Sequence, residues 1–212
     1  MKASERAAAV VERLAVEYPD AQCELDFNNP WELLVATVLS AQCTDERVNR
    51  VTPGFFARWP TPSALAAAAR GDVEEEIRPT GFFRNKAASL QGAARALTTD
   101  HGETVPADID TLVGLPGVGR KTAKVVLGEG FGIAAGVTVD THVRRVARRL
   151  GLTRLDDPEK IAGRLERSVP HEEWIRFSMR MILHGRRVCT ARKPRCQTCA
   201  LDDICPKVGV RG

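Results

Sequence analysis

Apolar positions recur at intervals of three and four along most of this chain and almost nowhere at alternate positions, so the pattern predicts helices. Val10, Val11, Leu14, Ala15 and Tyr18 mark a first helix over 4–18 that Pro19 ends. Asn28-Asn29-Pro30 is a start signal, and Trp31, Leu34, Val35, Val38 and Leu39 form the buried stripe of the second helix. Thr44 or Asp45 caps a third, which Pro53-Gly54 is expected to interrupt. Thr61-Pro62 and Gly71-Asp72 each announce a short helix, and Pro79-Thr80-Gly81 a turn with Phe82 and Phe83 at its exit. Ala87, Leu90, Ala94 and Leu97 lie on a longer helix, and Asp108 or Asp110 opens a short one. Further on, Val143, Val146, Ala147 and Leu150 share one side of a helix capped by Asp140, with four arginines on the other. Residues 171–184 are apolar on most sides and predict a largely buried helix. The only strand-like run, Gly136-Val137-Thr138-Val139, is too short to build a sheet. The expected fold class is all-α.

With 212 residues the chain is long enough for one large domain or two small ones around a substantial core. No apolar run approaches the length needed to span a bilayer, and the N-terminus leads into an amphipathic helix rather than a signal segment. A cytoplasmic protein with no membrane partner is expected. The net charge of +4 is modest, but its distribution is uneven. Arg120, Lys121, Lys124, Arg144, Arg145, Arg148 and Arg149 crowd one stretch, and Arg186, Arg187, Arg192, Lys193 and Arg195 another. Such clustering suits a polyanion, although a solvated basic face would look the same from charge alone.

The stretch Leu115-Pro116-Gly117-Val118-Gly119-Arg120-Lys121 adds chemistry to the charge. Two glycines two apart suggest a tight turn whose backbone is approached closely, and a helix opens directly from it. Bare amides beside two cations make an anion site, with phosphate the expected anion. Four of the six cysteines follow the spacing Cys189-x6-Cys196-x2-Cys199-x5-Cys205. Four thiolates in that spacing can close a zinc site or hold a [4Fe–4S] cluster. Between the first two lies Arg192-Lys193-Pro194-Arg195, a short loop pinned at both ends and able to grip a phosphate backbone.

Taken together, these motifs resemble the endonuclease III family, the bifunctional DNA glycosylase/AP lyases of the helix–hairpin–helix superfamily. The resemblance rests on the hairpin stretch through Ala123, on Val139-Asp140-Thr141-His142, on Leu183-His184-Gly185-Arg186, on Ser40-Ala41-Gln42, and on the cysteine spacing. It covers almost the whole chain. It implies a [4Fe–4S] cluster on Cys189, Cys196, Cys199 and Cys205, structural in role. It implies two lobes with a cleft between them: a six-helix bundle with the hairpin over 22–134, and a cluster domain of 1–21 with 135–212. The implied substrate is double-stranded DNA with oxidised pyrimidines or AP sites, acted on by a monomer in base excision repair.

The family's site residues carry over position by position. Lys121 stands where the related monofunctional adenine glycosylases lack lysine, and implies an amine nucleophile that forms a Schiff base at the sugar C1′. By itself Lys121 could equally touch a phosphate; its helix start and Arg120 disfavour the protonated amine. Asp140 is implied as the catalytic carboxylate, a role compatible with capping its helix. Gln42 and Phe82 are implied to enter the duplex beside a flipped nucleotide, Phe82 where the family often has leucine. Burial of Phe82 or Phe83 in the core is the competing reading. Gly117, Gly119, Arg120, Lys124, Arg144, Arg186, Arg192, Lys193 and Arg195 complete the expected DNA contacts, and Ser40, Asp45 and His142 the expected base pocket. A non-catalytic damage-binding relative is the alternative reading.

Overall fold

The computed structural model describes residues 1–210. Every regular element among them is helical, and none is long and apolar enough to cross a membrane. The chain divides into two compact units: Cys23–Ile133, and Met1–Gln22 with the chain from Ala134 onward.

The helical unit, Cys23–Ile133, holds α2 (Pro30–Leu39), α3 (Asp45–Arg58), α4 (Pro62–Ala67), α5 (Arg70–Ile77), α6 (Phe83–Asp100), α7 (Ile109–Gly114) and α8 (Arg120–Val125). That is seven α-helical segments rather than six. Side-chain caps start several of them. Asn29 accepts from Glu32 N at 3.0 Å, Thr44 accepts from Arg47 N at 3.4 Å, and Asp108 accepts from Thr111 N at 2.8 Å. The core is aliphatic with one central aromatic: Leu33, Leu34, Leu39, Phe55, Leu65, Ile77, Leu90, Leu97 and Leu112 are fully buried.

The expected break at Pro53-Gly54 does not occur; α3 runs unbroken through Pro53. An interior proline costs about 3 kcal/mol of helix propensity. Here Val48, Val51, Thr52 and Phe55 are all buried on the same helix, and Phe55 packs edge-on against Trp59 at 5.2 Å. Burial of several apolar side chains at about 2 kcal/mol each outweighs the lost hydrogen bond. Downstream, α8 passes without a break into a π-helical turn, Val126–Gly130.

The second unit packs α1 (Ala3–Glu17), α9 (Thr141–Arg149), α10 (Pro158–Glu166) and α11 (Trp174–Arg187) around Leu14, Val143, Val146, Ile161, Leu165, Phe177, Met181 and Leu201. The Val137–Val139 run is extended but pairs with no strand. Instead Val137 N donates to Glu166 Oε1 at 2.9 Å and Thr138 N donates to Ser178 Oγ at 2.9 Å, so buried amides are satisfied by side chains. The first helix is tied to the C-terminal loop: Arg6 Nε donates to Ile204 O at 3.0 Å, Arg13 donates to Ala200 O at 3.0 Å, and Arg13 also pairs with Asp203.

Candidate active site and cluster loop

The hairpin joins α7 to α8. Leu115 and Val118 close a turn through Val118 N→Leu115 O at 3.1 Å. Pro116 and Gly117 occupy its two central positions, and Gly117 has φ +77°, the conformation such a turn asks of its second central residue. A Cβ on Gly117 would lie 2.3 Å from the Ser89 Cβ, and one on Gly92 would lie 2.8 Å from the Pro116 Cβ. The hairpin is thus seated on α6, where Ser89 and Gly92 leave room for it.

Gly119 differs. It caps α8 at φ −88°, and a Cβ there would meet nothing within 4 Å. No packing contact requires glycine at this point; glycine starts a helix better than alanine does, and the open space leaves room for close approach by an outside group. Gly117→Ala is expected to destabilise by about 2 kcal/mol or more. Gly119→Ala should cost no more than about 1 kcal/mol, through the poorer helix cap, and weaken duplex binding roughly tenfold, about 1.4 kcal/mol. Thermal melts and a fluorescence-anisotropy titration on the two variants separate the roles.

Lys121 is the second residue of α8 and is exposed. Its ammonium makes no hydrogen bond or ion pair among the described residues. Arg120, beside it, lies 3.7 Å from Asp110. Lys124 is not part of the exposed basic surface as expected: it is 8% exposed, because α8 turns that side toward the interior before entering the buried π-helical turn.

Two loops of the same unit carry the other expected contacts. Cys43 N→Ser40 O at 3.0 Å closes a turn with Gln42 at φ +53°. Phe82 caps α6 at φ +48° and is 62% exposed. Two non-glycine residues therefore hold the left-handed conformation at a cost of about 1 kcal/mol each, and both side chains are exposed. Phe83, by contrast, is half-buried, with Arg78 and Arg84 over its ring at 5.7 and 5.5 Å. Ser40 is half-buried, its hydroxyl donating back to Thr37 O of its own helix at 2.9 Å. Asp45 is the first residue of α3, half-buried, behind the Thr44 cap.

In the second unit Asp140 caps α9, with Oδ1 accepting from Val143 N at 2.8 Å. The cap engages one carboxylate oxygen and holds the other in a fixed place. His142 is half-buried, and burial lowers its pKa, with Asp140 acting in the opposite sense. Arg145 Nη2 lies 3.1 Å from His142 Nδ1, and the guanidinium can only donate. Gly185 makes this packing possible, since a Cβ there would stand 2.8 Å from the His142 Cβ.

The four arginines of α9 were expected together on the side opposite its apolar residues, and the structure separates them. Arg144 and Arg148 are partly exposed and pair with Asp156 at 3.4 and 2.7 Å. Arg149 is 9% exposed and donates to Thr190 O at 2.7 Å and Ala191 O at 2.8 Å. Arg145 donates to Gly185 O at 2.9 Å and Cys189 O at 3.1 Å. These two brace the loop from behind. On its outer side Arg192, Lys193 and Arg195 are exposed and, with Gln197, Thr198 and Lys207, line a shallow concavity. Arg186 is also exposed.

Cys189, Cys196, Cys199 and Cys205 are all unbridged and line one cavity with Val146, Leu150 and Leu201. Three of the sulfurs receive N–H groups: Leu201 N→Cys199 Sγ, Lys207 N→Cys205 Sγ and Arg149 Nη1→Cys189 Sγ, each at 3.4 Å. Burial pushes the Cys199 and Cys205 thiols up, so a positive group is needed to hold them as thiolates. Four sulfurs lining one cavity offer the donor set of a zinc site or of a [4Fe–4S] cluster. His184, buried between Tyr18 Oη at 3.3 Å and Cys199 Sγ at 3.5 Å, was passed over in the sequence except as part of a motif. Its contacts join residues 166 and 15 positions away, which no local pattern reveals.

Comparison with known proteins agrees with this anatomy. Residues 35–171 match the HhH-GPD superfamily of base excision DNA repair proteins. Endonuclease III of Synechocystis is 52% identical over 202 residues, covering 95% of this chain and 92% of that one. The Escherichia coli K12 endonuclease III is 39% identical, with 92% of each chain covered. Among solved structures, an endonuclease III trapped as a covalent intermediate with DNA superposes with a TM-score of 0.93 at 42% identity, covering 98% of this chain and 97% of that one. A thermostable thymine-DNA glycosylase, 21% identical with a TM-score of 0.87, shares the fold.

Proposed function

Because the chain belongs to the endonuclease III family of the HhH-GPD superfamily of base excision repair proteins, we propose that it removes oxidised pyrimidines from duplex DNA and then cleaves the resulting AP site. It is a DNA glycosylase and AP lyase acting on DNA, as a monomer and, in this reading, in the cytoplasm. The observation that carries the finer assignment is Lys121: an exposed amine without a salt-bridge partner, two residues past the Gly119 cap, whose glycine the protein's own packing does not require.

In this mechanism the hairpin amides and Arg120 hold a backbone phosphate, and Gly119 lets it come close. Gln42 and Phe82 occupy the space of the nucleotide that leaves the stack. The neutral Lys121 amine attacks C1′, the bond from C1′ to the base breaks, and the base departs with a proton. The Asp140 carboxylate stabilises positive charge developing on the sugar. The C1′–O4′ bond then opens, O4′ taking up a proton, and leaves a Schiff base between Lys121 and C1′; this makes the C2′ proton acidic, and its loss expels the 3′ phosphate and cuts the strand. Arg144, Arg186, Arg192, Lys193 and Arg195 supply further phosphate contacts, and Lys124, turned into the interior, is not among them. His142 and Asp45 border the base pocket, and Ser40 shapes its loop.

The cysteines would hold a [4Fe–4S] cluster, which supplies a rigid, charged anchor for the basic loop and leaves no open iron position for substrate. Purified protein should be brown and carry about four irons per chain; a colourless preparation containing zinc would remove the cluster from this account. The activity is tested by borohydride treatment of the protein with duplexes containing thymine glycol or an AP site. A covalent adduct is expected on both, and its absence on both counts against the proposal.

A further inference from the structure

Lys86 places a charged side chain in the interior of the helical unit, 5% exposed. Its Nζ donates to Leu39 O at 2.7 Å and to Thr80 O at 2.8 Å. Its backbone N–H donates to Phe82 O at 3.1 Å. Leu39 is the last residue of α2, and Thr80 the last of the short 3₁₀ turn Arg78–Thr80. The ammonium thus lies on two helical C-termini, where carbonyls lack intrahelical partners and the dipole favours a cation. Burial lowers its pKa, with Cys43 acting in the opposite direction.

A methionine or leucine would fill the same space without removing a charge from water. What only lysine offers is a link between two loops that are far apart in sequence. Each linked carbonyl precedes a strained residue by a few positions: Leu39 is three residues before Gln42 at φ +53°, and Thr80 two residues before Phe82 at φ +48°. Left-handed non-glycine residues persist only where their surroundings over-determine them. Lys86 supplies that constraint from a single helix, about one turn before Ser89 and two before Gly92, the seat of the hairpin.

We propose that Lys86 is a positioning residue that fixes the spacing of the Gln42 and Phe82 loops, so that the two side chains enter the duplex as a pair. The inference rests on the reading of those loops as duplex-entering. It assigns Lys86 to the opening of the stack and not to the sugar chemistry, which belongs to Lys121.

The test uses the cluster-loaded protein and single-turnover release of thymine glycol from two substrates: a fully paired duplex, and the same lesion inside a short mismatched bubble already open. Lys86→Met should excise at least about tenfold more slowly from the paired duplex, and within about threefold of wild type from the bubble. In a Gln42→Ala/Phe82→Ala background, Lys86→Met should change the paired rate by less than about twofold, because the loops it spaces are already blunted. Equal loss on both substrates, or full additivity in that background, would reduce Lys86 to a structural lysine and overturn the proposal. So would wild-type rates for folded Lys86→Met. Should that variant fail to fold, Lys86→Gln, which keeps an amide donor on a shorter chain, enters the same cycle with the same outcomes. A wild type inactive on both substrates would overturn the functional reading itself; an active wild type matched by the variant overturns this inference alone.

Discussion

Lys121→Ala is expected to give no borohydride adduct and to slow base release and strand cleavage at least about a thousandfold, the scale on which removing a nucleophile acts. Folding should be almost untouched. Lys121 is exposed at the second position of α8 and makes no hydrogen bond or ion pair among the described residues. Truncation there removes no packing, and such surface changes usually stay within about 0.5 kcal/mol. The competing view, that the amine only touches a phosphate, makes a different prediction. On that view the defect would be one of affinity, and excess protein would restore the rate. Lys121→Arg sharpens the contrast, because guanidinium keeps the charge but stays protonated. Measurable single-turnover cleavage by Lys121→Arg at saturating protein would sink the nucleophile assignment.

For Asp140 the cap and the chemistry can be taken apart. Asparagine caps a helix about as well as aspartate, and Asp140 Oδ1 already accepts from Val143 N at 2.8 Å. Asp140→Asn should therefore keep stability within about 1 kcal/mol, the loss confined to the charge at the start of α9. If the carboxylate serves the reaction, the single-turnover rate nonetheless falls by roughly a hundred- to ten-thousandfold. Asp140→Ala should show the same rate loss and in addition give up about 1 kcal/mol of capping, visible as a melting temperature lower by roughly 2–4 °C. An Asp140→Asn protein with wild-type turnover would leave Asp140 as a cap and nothing more.

The helices were legible because their signals are local. Asn29, Thr44 and Asp108 each sit three residues before the amide they cap, and a capping contact needs no information from elsewhere in the chain. The proline in α3 was misleading for the opposite reason. Propensity is local, but the burial of Val51, Thr52 and Phe55 that overrides it is not. The arginines of α9 show the same limit. Spacing along a helix marks Arg144, Arg145, Arg148 and Arg149 as a basic face, but which of them meets solvent depends on where the cluster loop returns. Arg145 and Arg149 brace that loop, and only Arg144 and Arg148 keep to the surface with Asp156. Phe82 and Phe83 were indistinguishable as neighbours; the left-handed cap exposes the first and α6 half-buries the second.

By itself the sequence determined the all-helical class, the hairpin turn, the cap at Asp140 and the set of four cysteines. Each is written in residue types at fixed short spacing, where backbone conformation and ligand chemistry leave few alternatives. Tertiary structure alone decided which glycine serves the fold and which leaves room outside it, since a Cβ at Gly117 strikes Ser89 and one at Gly119 strikes nothing. It also decided that Lys124 is inside, that His184 touches Cys199, and that Lys86 joins two loops whose linked carbonyls belong to residues 39 and 80. Those facts depend on which distant segments share a volume. That is settled by the packing of the whole core rather than by any stretch of chain.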